Sequence, residues 1–312
     1  MQFTKPYSAE KPKKSRNAYA VTRVKVKGTR LLKREDYLQM MKMNETSEIL
    51  RFLGEREYGK EINELATRHS GLPLLEYALT KNLENIINQV YNFTYGPAKE
   101  QLCIYLKKWD VYNVKTALRG LLSGEKKGEI EGEMIFAGII PRQYFQALES
   151  DCQSYEEAKS RLSGLDFCKG IMEAKDQGSA EDLMDKNYFL QALKNSDSDL
   201  KKFILKEIEF INSRNLKRAT TAGINEPEKF SIGKPKKTRL ALASADNHES
   251  ETSMKKKHLA QCIRLMHSYE LSIVPLLGFM SAKETEVANI RAIARGKASG
   301  IPESEIMEWI VV

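Results

Sequence analysis

Apolar residues recur at three- and four-residue intervals along most of the chain, a spacing that places them on one face of an α-helix. Few windows alternate as a half-buried strand would. The best exception is EGEMIFAGII at 131–140, for which helix and extended loop both stay open. The pattern predicts an all-α protein, with helical periodicity over 72–90, 98–122, 143–148, 155–162, 183–193, 200–222 and 258–297.

Turn-forming and capping residues mark the starts of two long predicted helices, 98–122 and 200–222. Gly96-Pro97 precedes the first of these helices, and Asp197 and Ser198 are suitable N-caps for the second. Two segments lack an apolar face. Residues 1–17 are predicted to form a basic tail, and residues 225–257 a long polar surface loop with at most a short helix.

One motif occurs twice with identical spacing, as DVYNVKTALRG and EVANIRAIARG. Both copies have the order acid, Val, any residue, Asn, aliphatic residue, cation, three residues of any type, Arg and Gly. Agreement of this length in one chain is improbable by chance, so the motif predicts an internal repeat. The matched polar and glycine positions are Asp110, Asn113, Lys115, Arg119 and Gly120 in the first copy, and Glu286, Asn289, Arg291, Arg295 and Gly296 in the second.

A weaker copy of the motif is NSRNLKRATTAG at 212–223. It keeps Asn215 and Lys217, has Thr221 in place of the arginine, and has its glycine one residue late. A fourth trace at 19–32 aligns ambiguously.

Segments 73–83 and 182–193 also resemble each other, and the repeated units start about one hundred residues apart. We therefore expect three similar helical units, 18–95, 96–197 and 198–312.

The motif spacing stacks its polar residues along one helix face. The glycine after the arginine is expected to end the helix as a C-cap, with the arginine in the last turn, where the helix dipole favours a cation. Three interpretations stay open: a joint that fixes a helix end to its neighbours, a site for an external acidic group, and a nucleic-acid contact. The first explains most of the motif and predicts that these side chains contact other parts of the chain.

The net charge is +8, which suggests an acidic partner such as nucleic acid, an anionic membrane surface or an acidic protein face. Lysines cluster at 11–16, 234–237 and 255–257, but they do not alternate with aromatic residues as a nucleic-acid stacking platform requires. The most apolar stretch, 271–280, is too short to cross a bilayer. We therefore expect a soluble, cytoplasmic protein whose membrane association is peripheral.

Motifs for catalysis, phosphate binding or metal binding are absent from the sequence. The four cysteines stand alone and the four histidines do not cluster with them, so neither a zinc site nor a disulfide framework is expected. No catalytic, cofactor-binding or metal-binding residue is predicted.

Three stretches, YAVTRVKVKGTRLLKREDY, WDVYNVKTALRG and LLGFMSAKETEVANIRAIARGKASGIPESEI, resemble the C subunit of archaeal A-type (A/V-type) ATP synthases. That family includes the d subunit of eukaryotic vacuolar ATPases. The resemblance covers nearly the whole chain and is weak over 225–257. It implies three similar helical domains around a pseudo-threefold axis, forming a funnel.

The resemblance also implies a non-catalytic, cofactor-free adaptor in the central rotor, on the cytoplasmic face of the membrane. Its expected partners are the membrane proteolipid (c/K) ring and the shaft subunits D and F. Indirect partners are the catalytic A and B subunits and the a/I stator subunit, and no nucleic acid is expected. Rotation of this adaptor would couple ion translocation to ATP synthesis. Two alternatives stay open: a basic helical nucleic-acid-binding or scaffold protein, and an unrecognised enzyme.

Overall fold

The computed structural model describes residues 15–125, 128–223, 231–233, 251–268 and 271–312. Within these ranges the structure contains helices and no strand, which confirms the all-α prediction. The helices are α1 (Ser15–Gly28), α2 (Arg34–Met41), α3 (Thr46–Gly54), α4 (Gly59–Leu65), α5 (Gly71–Phe93), α6 (Gly96–Ser123), α7 (Glu129–Glu133), α8 (Arg142–Asp151), α9 (Tyr155–Leu162), α10 (Gln177–Asn195), α11 (Ser198–Thr221), α12 (Glu251–Met266), α13 (Val274–Ala298) and α14 (Glu303–Trp309).

The chain divides into two compact units. The middle unit contains the described residues from Gly96 to Gly233, and the terminal unit combines residues 15–95 with residues 251–312. The expected unit 198–312 is therefore divided between them, because α11 packs with α10 while α13 packs against α1 and α5.

The terminal unit is built around α13, which is buried on most of its circumference and contacts α12, α5 and α1. Gly278 allows the close crossing with α12. A Cβ atom there would lie 2.5 Å from the carbonyl oxygen of Cys262 and 2.7 Å from the backbone nitrogen of Met266. Because these are backbone atoms, they cannot move aside as a flexible side chain can, so a larger residue would force the helices apart.

The middle unit is built around α6, which packs against α7, α8, α9 and α10. Tyr105, Leu106 and Leu118 on α6 are fully buried. Capping residues explain where α10 and α11 begin. Asp176 accepts a hydrogen bond from the backbone nitrogen of Ser179 at 2.7 Å, and Asp197 is the N-cap of α11, as predicted.

Two expectations about irregular segments change. Residues 251–257, expected to belong to a polar loop, form the start of α12, where their lysines extend from a regular helix. The periodic segment 258–297 is interrupted between α12 and α13 rather than continuous. Residues 1–14, 224–230 and 234–250 lie outside the described ranges, and they include most of the predicted tail and loop.

A search of the described residues for a helix both long enough and apolar enough to cross a membrane finds none.

Candidate functional site

Two buried asparagines form the centre of the repeated motif. The amide of Asn113 on α6 donates to the carbonyl of Ile135 at 2.9 Å and accepts from the Ile135 backbone nitrogen at 2.8 Å. Asn289 on α13 makes the same pair of bonds with Val311, at 2.7 and 2.9 Å. Each asparagine thus satisfies both backbone polar groups of a buried residue outside the helices. We call this arrangement the asparagine clamp.

A third asparagine clamp joins Asn212 on α11 to Ile232, with distances of 3.1 and 2.8 Å. It corrects the register of the third motif copy, for which the alignment on Asn215 is three residues too late. In the correct register the motif positions are occupied by Glu209, Asn212, Arg214, Arg218 and Ala219.

Asn215 and Lys217 therefore do not occupy motif positions, and the third copy does contain the arginine. The side-chain oxygen of Asn215 instead accepts a hydrogen bond from Arg214 at 3.3 Å. The wrong register arises because Ala219 replaces the glycine, which leaves Gly223 as the nearest match. The frame of acid, Asn, cation and Arg fits residues 209–218 without a gap, and this signal is present in the sequence.

The motif acid fixes the chain that leads into a short helix. Asp110 accepts hydrogen bonds from the backbone nitrogens of Ile139 and Ile140 at 2.8 and 2.9 Å, just before α8. Glu286 accepts one from Leu32 at 2.5 Å, just before α2. The two acids are buried and play the same part in their units, whereas Glu209 in the third copy is exposed.

Glu286 also belongs to a buried polar cluster in the terminal unit. Its carboxylate accepts hydrogen bonds from Lys283 at 2.7 Å and from the Tyr58 hydroxyl at 2.5 Å. Burial and the adjacent Glu286 carboxylate raise the pKa of Tyr58 well above its usual value, so the hydroxyl stays protonated and acts as a donor. The Lys283 and Glu286 side chains are only 4% and 3% exposed.

The motif cations connect their helices to acidic residues on a neighbouring helix. In the middle unit, Lys115 lies 2.6 Å from Asp185, and Arg119 forms a two-bond ion pair with Glu181. Both acids are on α10, and Asp185 lies within the segment 182–193. These ion pairs fix α6 to α10.

The terminal unit uses one acid for both motif cations. Glu76 on α5 lies 3.0 Å from Arg291 and 2.5 Å from Arg295, and it belongs to the segment 73–83. Segments 73–83 and 182–193 therefore resemble each other in that each supplies an acid that contacts a motif cation. Arg119 and Arg295 were predicted to face other parts of the chain rather than solvent; both form ion pairs, but their side chains remain 57% and 65% exposed.

The expected C-cap role of Gly120 and Gly296 is wrong, because both residues lie inside their helices. Their lack of a side chain makes room for an isoleucine. A Cβ atom would lie 2.5 Å from Ile130 at Gly120 and 2.7 Å from Ile306 at Gly296. The left-handed glycines that follow these helices are Gly124 and Gly300, with φ values of 70° and 68°.

The Arg119 contact predicts an acid-dependent loss of stability. Burial raises the pKa of Glu181, but hydrogen bonds from Arg119 and Gln177 outweigh it, and the pKa lies below its usual value. As the pH falls below the ordinary glutamate value of about 4.3, the unfolded chain takes up this proton first and stability decreases. We expect Arg119→Gln to reduce this decrease, measured by urea unfolding as a function of pH.

The matched control for that experiment is Arg142→Gln, which removes the 2.9 Å ion pair with Glu131 in the same unit. If Arg119→Gln and the wild type lose the same amount of stability as the pH falls, this contact does not control the titration of Glu181.

The described residues contain no group of three or more His, Cys, Asp or Glu side chains arranged to hold a metal ion. Burial raises the pKa of the Cys168 thiol to about 12, which disfavours the reactive thiolate. In the motif copies at 110–120 and 286–296, the acid, asparagine and cation side chains all contact other segments of their own unit. Chemically, the arrangement joins helices to each other and to extended chain segments.

Comparisons with known proteins agree with this picture. A family model described as "ATP synthase (C/AC39) subunit" matches residues 20–253 and 237–309. The A-type ATP synthase C subunit of Haloferax volcanii is 29% identical, covering 94% of this chain and 97% of that protein. The C subunit of Methanococcoides burtonii is 29% identical over 100% and 99%, and that of Archaeoglobus fulgidus 28% over 95% and 96%.

Proposed function

The chain belongs to the ATP synthase (C/AC39) subunit family, and from this membership we propose that it is the central-rotor adaptor of an A/V-type ATP synthase. In this role it joins the membrane proteolipid ring to the shaft subunits D and F. It transmits rotation between ion translocation in the membrane and ATP synthesis in the A and B subunits. The observation that carries the proposal is the family match over nearly the whole chain.

The internal contacts suit a part that transmits torque. Such a part needs helices that do not slide against each other under load. The clamp at Asn113 and the ion pair between Lys115 and Asp185 join three separate segments of the middle unit. Asn289 and the Glu76 ion pairs do the same in the terminal unit. Charge-assisted hydrogen bonds with fixed geometry resist such sliding better than apolar contacts alone.

We further propose that the chain contains three similar helical repeats, which the two compact units share between them. The support is the occurrence of three asparagine clamps, at Asn113, Asn212 and Asn289. The copies are not identical, because Glu209 is exposed where Asp110 and Glu286 are buried. This difference is compatible with an adaptor that joins a ring to a single asymmetric shaft.

The proposed adaptor is peripheral, lies on the cytoplasmic face of the membrane, is held there by the rotor ring, and has no catalytic role or cofactor of its own. Its net charge of +8 favours acidic loops of the ring, acidic shaft residues or anionic lipid headgroups as contacts. The a/I stator subunit is a partner only through the assembled complex.

Affinity purification of the tagged full-length chain from native membranes tests this proposal. We expect the proteolipid and subunits D and F to co-purify after nuclease treatment. The competing nucleic-acid hypothesis predicts that nuclease removes the bound partners and that affinity falls steeply with salt. Recovery of nucleic acid without ring or shaft subunits would contradict the adaptor role.

A further inference from the structure

A cleft of about 440 Å³ opens within the terminal unit. Its walls come from the connection between α1 and α2, from α12, from α13, and from residues 311–312. Clefts that hold small ligands usually have volumes of about 300–1,000 Å³. The size therefore fits a small molecule, and neither the motif contacts nor the adaptor role accounts for this space.

The walls of the cleft are largely apolar. Leu31, Leu259, Ile263 and Val312 all line it, and Ile263 is 39% exposed. An isoleucine exposed in isolation needs no explanation, but here it is part of a concave apolar surface. Covering such a surface with an aliphatic group removes apolar area from water on both sides.

The polar groups at the cleft already have partners within the protein. Glu286 accepts from Lys283, Tyr58 and Leu32, and Asn289 is bonded to Val311. A ligand group placed beside them would gain little from hydrogen bonding. The part of a ligand that enters the cleft is therefore expected to be apolar.

Positive charge lies among the cleft-lining residues nearer to solvent. Lys33 and Arg34 line the cleft and are exposed. Neither forms an ion pair with an acid in the described part of the chain. Glu286 is the only lining residue with an acidic side chain, and the Lys283 ammonium compensates its charge. This arrangement favours an anionic group beside an apolar body.

We propose that this cleft binds an amphiphile with one aliphatic chain and an anionic head, of the long-chain carboxylate class. The aliphatic chain lies between α12 and α13, and the carboxylate lies beside Lys33 and Arg34. This inference does not rest on the adaptor role, because the purified chain contains the whole site.

The first test is a fluorescence titration of the purified full-length chain with cis-parinaric acid, followed by displacement with saturated carboxylates. We expect saturable binding with one site per chain. Affinity should rise from decanoate to tetradecanoate by up to about fourfold for each methylene, the equivalent of about 0.8 kcal/mol. Dodecanol, which lacks the charge, should displace the probe about tenfold less well than dodecanoate.

Two variants locate the site. Ile263→Asp places a carboxylate in the apolar wall and should abolish saturable binding. Lys33→Glu combined with Arg34→Glu should weaken binding about tenfold at low salt. All substituted positions are exposed, so melting temperatures close to that of the wild type are expected and serve as the check on folding.

Matched controls come from the middle unit. Leu190→Asp replaces an apolar residue that is 45% exposed, and Lys201→Glu with Lys202→Glu reverses two exposed lysines. These controls should bind the probe like the wild type. Non-saturable binding, or equal affinities in the cleft variants and the controls, would overturn the proposal and leave the adaptor role unaffected.

Discussion

Replacing Lys283 with methionine is expected to destabilise the protein by about 3–5 kcal/mol, because it leaves the buried Glu286 carboxylate without its cation. The two groups lie 2.7 Å apart and their side chains are almost fully buried. Urea unfolding at neutral pH measures the loss.

Two further variants separate the buried charge from the loss of the lysine itself. The double variant Lys283→Met with Glu286→Gln should recover much of the stability, since no uncompensated charge remains. Lys60→Met removes a lysine 3.8 Å from Glu64 on the surface and should cost less than about 1 kcal/mol. A Lys283→Met cost as small as that of Lys60→Met would contradict the importance of the buried pair.

The second large effect is expected at the asparagine clamps. Asn113→Ala and Asn289→Ala should each cost about 2–4 kcal/mol, because a buried N–H and a buried C=O lose their partner together. Asn212→Ala removes the equivalent pair from Ile232 and should behave alike. Chemical unfolding of the three single variants gives the comparison.

Asn215→Ala is the matched control for the register of the third motif copy. Asn215 is only three residues from Asn212 on the same helix but does not form the clamp. Its replacement should cost less than about 1 kcal/mol. If Asn215→Ala and Asn212→Ala destabilise equally, the assignment of Asn212 to the motif is incorrect.

Periodicity and local motifs predicted much of the architecture. The all-α fold follows from apolar spacing, and the N-cap at Asp197 follows from its local hydrogen-bonding chemistry. The equivalence of Asn113 and Asn289 follows from the repeated motif around each of them. Apolar spacing, capping and the motif all depend on residues that are close together in the chain, and this is why they can be predicted from the sequence.

The missed features depend on contacts between distant segments. The role of Gly120 is set by Ile130, a partner that helix-capping rules do not consider. The division of residues 198–312 between two units depends on where α13 buries its apolar surface. The third clamp was not predicted because the motif was aligned to match Gly223. The ungapped frame around Asn212 was not used.

The same limit applies to the motif cations. The sequence predicted that Lys115 and Arg291 would contact other parts of the chain, but it did not identify their partners. Those partners, Asp185 and Glu76, lie on helices far away in sequence. The sequence shows that segments 73–83 and 182–193 resemble each other. It does not show that each of these segments supplies the acidic partner of a motif helix.

The central claim is that this chain couples the membrane ring to the shaft. ATP-driven ion uptake into vesicles, using rotary complexes depleted of this chain and then reconstituted with it, tests that claim most directly. We predict that the depleted complexes still hydrolyse ATP but do not pump ions, and that adding the full-length chain restores pumping. Undiminished ATP-driven pumping in its absence would contradict the account.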